Sequence, residues 1–176
     1  WLQALADNTS VGGAELGKAI CDTFYEACVE NEVADEVTLS VTDLSKFPAL
    51  LAAYDNLGKE SLALACENPR FLSKLGREAA RAENYGGNND DEGYTNMVDL
   101  GHLVRNATNL LPESSADLLE ALDDCIVYRI SGEYRSEATG LSCYYSYNGD
   151  EDDLSGYYTV GASEAFKHLY TYAVYG

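Results

Sequence analysis

The chain has 176 residues, 46% of them hydrophobic, which is enough for one sizeable packed domain or for two small ones. Its 30 acidic residues outnumber its 11 basic residues, and the formal net charge of −19 argues against nucleic acids and anionic membranes as partners. No apolar run reaches the ~18 residues that a membrane-spanning helix requires.

The first third of the chain predicts two helices followed by one strand. Trp1–Ala6 resembles the end of a helix, and apolar residues recur at helical spacing from Ala14 to Glu30. Alternating aliphatic and hydroxyl residues predict a strand from Val37 to Asp43. Because one strand cannot form a sheet, we expect it to lie at the edge of an incomplete sheet or to pair with another chain.

Two more helices are predicted before a glycine-rich loop. Ser45 is the expected N-cap of the first, with Pro48 in its first turn. Asn68-Pro69 ends that helix, and a second one runs towards Glu83. The polar segment 84–94 then predicts a boundary between two parts of the chain.

We predict that residues 1–83 form part of an α/β domain and that residues 84–176 form a mainly helical subdomain with a short β-hairpin. In the second part, apolar spacing predicts helices, whereas two aromatic and aliphatic runs predict the strands. The expected elements are a helix over 97–111 ended by Pro112, a helix capped by Ser114 or Ser115, strands over 125–130 and 140–147, an acidic turn over 148–156 and a helix over 162–175.

Cysteine and histidine residues offer few chemical sites. The five cysteines contain no CxxC pair, and the two histidines are His102 and His168, so a zinc site is not expected. We interpret the cysteines as buried free thiols, with a disulfide framework as the alternative. A Cys–His dyad is another hypothesis, although no cysteine lies in a setting that would lower its pKa. The cysteines are Cys21, Cys28, Cys66, Cys125 and Cys143.

Two acidic loops raise the question of calcium binding. The first loop deviates from an EF-hand pattern at three positions, and the second has Asp153 where the pattern needs glycine. We therefore expect solvated acidic turns and no cofactor, with calcium as the alternative. The candidate residues are Asn88, Asp90, Glu92, Gly93 and Asp99 in the first loop, and Asn148, Asp150 and Asp152 in the second.

Fourteen tyrosines suit either core packing or a ring-lined groove for carbohydrate or peptide. Core packing is the interpretation that we favour, because aromatic residues at strand and helix spacing usually face the core. The tyrosines near the C-terminal end are Tyr144, Tyr145, Tyr147, Tyr157, Tyr158, Tyr170, Tyr172 and Tyr175.

Several short motifs resemble one protein family. Ala138–Tyr145 (ATGLSCYY) is similar to the "a-x-G-L-S-I-Y-F" strand near the C-terminal end of clostripain-like cysteine peptidases. Leu39–Ser45 (LSVTDLS) resembles the family's strand-to-helix junction, and Arg81–Gly86 with Tyr94–Leu100 resembles the entry to a later helix. Trp1-Leu2 and the helix that follows are similar to the segment after the family's glycine- and tryptophan-rich loop.

This resemblance implies an α/β fold of the caspase-like type with a mainly helical C-terminal subdomain. The full enzyme would be an endopeptidase that cleaves after Arg or Lys, with a cysteine thiolate as nucleophile and a histidine for proton transfer. The family's catalytic residues lie upstream of the position that matches Trp1, so no catalytic, cofactor-binding or metal residue is assigned here. Asp43 and Asp99 match family positions, where helix capping or junction hydrogen bonds explain them.

The resemblance also sets expectations for partners and location. The chain would be the C-terminal portion of a secreted bacterial enzyme, outside the cell or on its surface, and its start at Trp1 fits a mature, proteolysed or cloned fragment. Its partner would be the N-terminal catalytic half, which with it would act on peptides containing basic residues. A non-catalytic interaction module of the same ancestry is the alternative.

Overall fold

The computed structural model describes residues 2–7, 9–86, 96–145 and 151–175. In these ranges the chain is a mixed α/β structure in which helices predominate. None of the helices found there has the length and apolar character needed to span a membrane. The helices are α1 (Leu2–Asp7), α2 (Gly13–Glu30), α3 (Phe47–Glu67), α4 (Arg70–Ala79), α5 (Leu100–Ala107), α6 (Pro112–Cys125), α7 (Glu151–Val160) and α8 (Glu164–Tyr175), and the strands are β1 (Thr38–Thr42), β2 (Met97–Asp99), β3 (Ile126–Ser131) and β4 (Ser142–Tyr144).

The strands form two antiparallel pairs. β1 pairs with β3 in a register that places Leu39 opposite Ile130, and β2 pairs with β4 in a register that places Val98 opposite Cys143. The predicted hairpin of the two C-terminal strands is therefore wrong, because β3 and β4 each pair with an earlier strand. Gly140, whose φ of +110° favours glycine, lies in the segment that carries the chain from the first pair to the second.

Helix α2 covers one face of the β1–β3 pair. A Cβ atom on Gly17 would lie 2.7 Å from Cγ1 of Val41, so the helix backbone rests directly on β1. On the flank nearer β3, the Tyr128 hydroxyl donates to Asp22 at 2.6 Å, and Lys18 donates to that hydroxyl at 3.3 Å. These contacts fix which side of α2 faces each strand.

One hydrophobic cluster takes residues from both sides of the predicted boundary at residue 83. Helix α3 packs against α6 and α8, and the rings of Tyr54 and Phe166 stack with centroids 4.4 Å apart. Stacked rings combine buried apolar area with favourable quadrupole geometry. Among the largest fully buried side chains are Leu50, Val104, Leu111, Leu118, Leu154 and Leu169.

The start of α3 differs from the prediction. The helix begins at Phe47, its N-cap is Lys46, and Pro48 lies in the first turn as expected. Ser45 is not the N-cap, because its backbone N–H donates to Asp43 Oδ1 at 2.9 Å in the preceding turn. Asp43 thus closes a turn before the helix, and no side chain caps the first turn of α3.

Three further predictions in the second half were wrong. Residues 97–99 form a strand instead of the first turn of a helix, because Val98 is fully buried opposite Cys143. Pro112 begins α6, where its missing N–H costs nothing, and Ser114 and Ser115 lie inside that helix. Part of the predicted acidic turn belongs to α7.

Two predicted helices differ at their ends. Helix α4 ends at Ala79 instead of running towards Glu83. In α8, Phe166, Leu169 and Tyr170 are buried as predicted, whereas Ala173 is exposed.

Candidate interaction site

The cysteines do not form an activated thiol site. All five are free; Cys21, Cys28 and Cys125 are buried as predicted, whereas Cys143 is half-buried and Cys66 is exposed. Burial raises the pKa of the Cys21 and Cys125 thiols, and burial followed by the Asp99 charge raises the pKa of Cys143 to about 12. A raised pKa keeps a thiol protonated and poorly nucleophilic at neutral pH.

The histidines do not supply a base for these thiols. Nδ1 of His102 accepts a hydrogen bond from the backbone N–H of Glu83 at 3.1 Å, and His168 is exposed on α8. Within the described ranges, no hydrogen bond joins a cysteine to a histidine. The arrangement there does not support the hypothesis of an internal Cys–His dyad.

Asp99 is the most heavily hydrogen-bonded side chain near the strands. It is fully buried, and its Oδ1 accepts from the His102 backbone N–H at 2.8 Å and from Thr139 Oγ1 at 2.6 Å. Its Oδ2 accepts from the Tyr85 hydroxyl at 2.8 Å and from the Thr139 backbone N–H at 2.7 Å. The carboxylate thus caps α5 and joins three segments of the chain.

These bonds bear on the calcium alternative. Both oxygens of Asp99 already accept from protein donors, so the side chain has a structural role as a helix cap. The other residues of the first loop, together with Asn148 and Asp150 of the second, lie outside the described residues. Within the part of the chain that the structure describes, no group of three His, Cys, Asp or Glu residues could hold a metal ion.

A second polar cluster adjoins Asp99. Arg135 forms an ion pair with Glu83 at 2.5 Å and donates to the backbone oxygens of Asn84 and Glu36. Its guanidinium lies 5.8 Å from the centre of the Tyr85 ring. Burial, followed by the charge of Asp99, raises the pKa of the Tyr85 hydroxyl, which keeps it a donor. No sequence motif pointed to Arg135, because its partners are distant in the chain.

A groove of about 470 Å³ lies between β1 and the start of β4. The hydroxyl of Ser40 donates to the backbone oxygen of Gly140 at 2.5 Å, which joins the two sides of the groove. An apolar cavity of about 280 Å³ adjoins it, because Met97, Leu141 and Ser142 line both. The groove is lined by Thr38, Leu39, Ser40, Tyr85, Met97, Gly140, Leu141 and Ser142.

The edge of β1 opposite β3 borders this groove. Backbone groups of Val37 and Asp43 bond to the β3 side, at Gly132 and Cys125. Because backbone groups alternate in direction along an antiparallel strand, Thr38, Ser40 and Thr42 direct theirs to the other edge. Among the described residues no strand pairs with that edge. Within those ranges β1 lies at an edge, as each strand of a two-stranded pair does, and its one neighbour is β3 of the same chain.

The aromatic residues near the C-terminal end form packing contacts. Tyr144 stacks on Tyr157 with centroids 4.9 Å apart and meets Tyr170 edge-on at 5.6 Å. The Tyr170 hydroxyl donates to the backbone oxygen of Tyr144 at 2.8 Å. Burial raises the pKa of Tyr157 to about 12, with Tyr54 counteracting, and raises that of Tyr170. Core packing thus accounts for Tyr144, Tyr157 and Tyr170, whereas Tyr175 is 59% exposed and Tyr147 lies outside the described residues.

Comparison with known proteins leaves the strand edge and groove as the principal guides to function. No protein-family model, curated protein or solved structure matches this chain.

Proposed function

We propose that this chain is the C-terminal portion of a clostripain-like cysteine endopeptidase and that it supports the catalytic half without activity of its own. The open edge of β1 is the single observation that carries the proposal. The motif resemblance supports it as well, because Leu39–Ser45 contains most of β1 and Ala138–Tyr145 contains β4. The enzyme would have a caspase-like sheet and would be secreted by a bacterium.

The residues of β1 are typical of a strand inside a sheet. Helix α2 covers one face at Val41, and Gly140 lies against Ser40 on the other. The strand sequence Thr-Leu-Ser-Val-Thr has no charge and no proline. Natural edge strands usually carry charged residues or proline, which prevent unwanted pairing with other strands. A strand without them is well suited to having a second neighbour.

The thiol environments support a scaffold role. Burial raises the pKa of Cys21, Cys125 and Cys143, and a catalytic cysteine needs the opposite shift. We therefore place the nucleophile and its histidine in the catalytic half. The acidic field of this chain would favour substrates with basic residues, in line with cleavage after Arg or Lys.

The test uses the complete gene product. We expect a histidine and a D-A-C motif upstream of Trp1, and alkylator-sensitive cleavage of fluorogenic peptides that end in Arg or Lys. The isolated 176-residue chain should give no turnover above buffer. Alkylator-sensitive turnover by that chain alone would contradict the scaffold role, and a gene product without the upstream motif would contradict the peptidase assignment.

A non-catalytic binding module is the second candidate, and the groove with its adjoining apolar cavity favours it. Pockets that combine apolar walls with a few polar groups are typical of ligand sites. A complete gene product that lacks peptidase activity but retains the groove would favour this second candidate.

A further inference from the structure

Helix α2 extends beyond the edge of β1. Gly17 rests on Val41 of β1, whereas Lys18 and Asp22 contact Tyr128 of β3. Successive residues of an α-helix are rotated by 100° about its axis. The flank opposite Lys18 and Asp22 therefore lies on the side away from β3 and projects past β1. That flank is therefore positioned above the place where a further strand would lie.

The projecting flank is apolar and exposed. Ile20 and Phe24, one helical turn apart, are 36% and 38% exposed, and Ala27 on the same flank is also exposed. A strand paired with β1 would cover these side chains. The apolar flank and the open backbone edge thus point to one occupant, an extended strand with apolar side chains towards α2.

The charge of the chain, and of the segment that contains α2, favours a basic partner. Between Gly13 and Glu36 the sequence contains seven acidic residues and one basic residue, Lys18. The whole chain carries a formal charge of −19, so two copies would repel each other. Complementary charge would speed the association of a basic segment and select against acidic ones.

We propose that β1 and the projecting flank of α2 form an acceptor site for one extended, basic β-strand; under the proposed function, on which this inference rests, the catalytic half supplies it. Backbone groups of the added strand pair with Thr38, Ser40 and Thr42. Its alternate side chains face Ile20 and Phe24 on one side. The remaining side chains face the groove beside Tyr85.

Amide hydrogen exchange, followed by NMR, tests the edge itself. In the free chain we expect the amides of Thr38, Ser40 and Thr42 to exchange at least tenfold faster than those of Leu39 and Val41, which bond to β3. The probe is a synthetic peptide of alternating Val and Thr with Lys at both ends, at about 1 mM, a concentration that detects weak binding. It should slow exchange at the three edge amides at least tenfold.

A matched peptide separates strand pairing from charge attraction. The control has the same sequence with N-methyl groups on alternate residues. One edge of this peptide therefore has no backbone N–H groups that could donate hydrogen bonds to β1. We expect it to give less than twofold protection at Thr38, Ser40 and Thr42. Equal protection by both peptides would contradict strand addition.

Two substitutions on α2 test the projecting flank. Phe24→Lys should weaken peptide binding at least tenfold, whereas Val29→Lys, on the β3 flank and 54% exposed, should change it less than twofold. Both variants add the same charge. Far-UV circular dichroism and urea midpoints report whether they fold, and Ile20→Thr replaces Phe24→Lys if that variant does not. Equal losses in the variants of the two flanks would overturn the proposal.

The remaining outcomes separate this inference from the proposed function. Protection of the edge amides that rises with protein concentration, without peptide, would assign the edge to a second copy and overturn the basic partner. Absence of protection by the peptide would also overturn the acceptor site, but would leave the peptidase assignment intact. A gene product without the catalytic motif would overturn that assignment and leave a positive peptide result standing.

Discussion

At the scale of single residues, Asp99 shows how one buried carboxylate holds distant segments together. It accepts four hydrogen bonds from Tyr85, His102 and Thr139. Burying a charge is costly unless it is fully hydrogen-bonded, and here each oxygen has two donors. The hydrogen bonds of Asp99 therefore stabilise the start of α5 and the segment that leads into β4.

We predict that Asp99→Asn destabilises the chain by about 2–4 kcal/mol. An amide group has only one acceptor oxygen, so its NH₂ would face two donors in either orientation. Asp117→Asn, on the exposed face of α6, should change the free energy of unfolding by less than about 0.5 kcal/mol. Urea unfolding measures both, and equal effects would refute the structural role of Asp99.

Asp99 was open to prediction from sequence only in part. Helix capping or a junction hydrogen bond was the expected role of Asp99 at its family-like position, and the structure shows the cap through its bond to His102. The bonds to Tyr85 and Thr139 were not predicted, because their donors come from segments 14 and 40 positions away. Capping depends on residues that are close in sequence. The other hydrogen bonds of Asp99 depend on tertiary contacts between segments that are distant in sequence.

At the scale of elements, the contact between α2 and β1 depends on a residue without a side chain. Cγ1 of Val41 lies 2.7 Å from the position of a Cβ on Gly17, closer than atoms pack. Glycine at this position lets the helix approach the strand. The glycine thereby also determines how far the flank of Ile20 and Phe24 lies from the sheet where it projects past the edge.

Gly17→Ala should therefore destabilise the chain by about 1–3 kcal/mol, because the stiff side chain of Val41 must move. Gly13→Ala in the first turn of the same helix is the matched control, since nothing lies within 4 Å of its Cβ position. That control should be neutral or stabilising by up to about 1 kcal/mol. Similar urea midpoints for the two variants would show that α2 is not seated closely on β1.

At the scale of the whole molecule, α3 and α8 enclose a core that includes ionisable hydroxyls. Tyr54, Tyr157 and Tyr170 are buried, and burial raises the pKa of each above the usual value of 10. The protonated form is therefore favoured in the folded chain. Below pH 10 the protonated hydroxyls make their full contribution to the free energy of unfolding. That contribution is lost as the pH rises towards the pKa values of the folded chain.

We expect the free energy of unfolding to fall steeply above about pH 10. Each such tyrosine costs about 1.4 kcal/mol per pH unit, because the unfolded state loses its proton first. Because unfolded tyrosine is only half ionised at pH 10, the three together give a loss of about 3 kcal/mol between about pH 10 and pH 11. Urea unfolding across this range, with ultraviolet detection of tyrosinate, measures it. Complete tyrosine titration near pH 10 in the folded chain would contradict this expectation.

The amphipathic helices and the alternating strand β1 were predictable from local patterns, because these patterns depend on residues close together in the chain. The choice of paired strands, and of the edge of β1 that stays open, was not predictable in this way, because it depends on contacts between β1 and a strand some ninety positions away. The same holds for the apolar flank of α2. Its spacing was visible in the sequence, but its exposure follows from the seating of Gly17 on Val41.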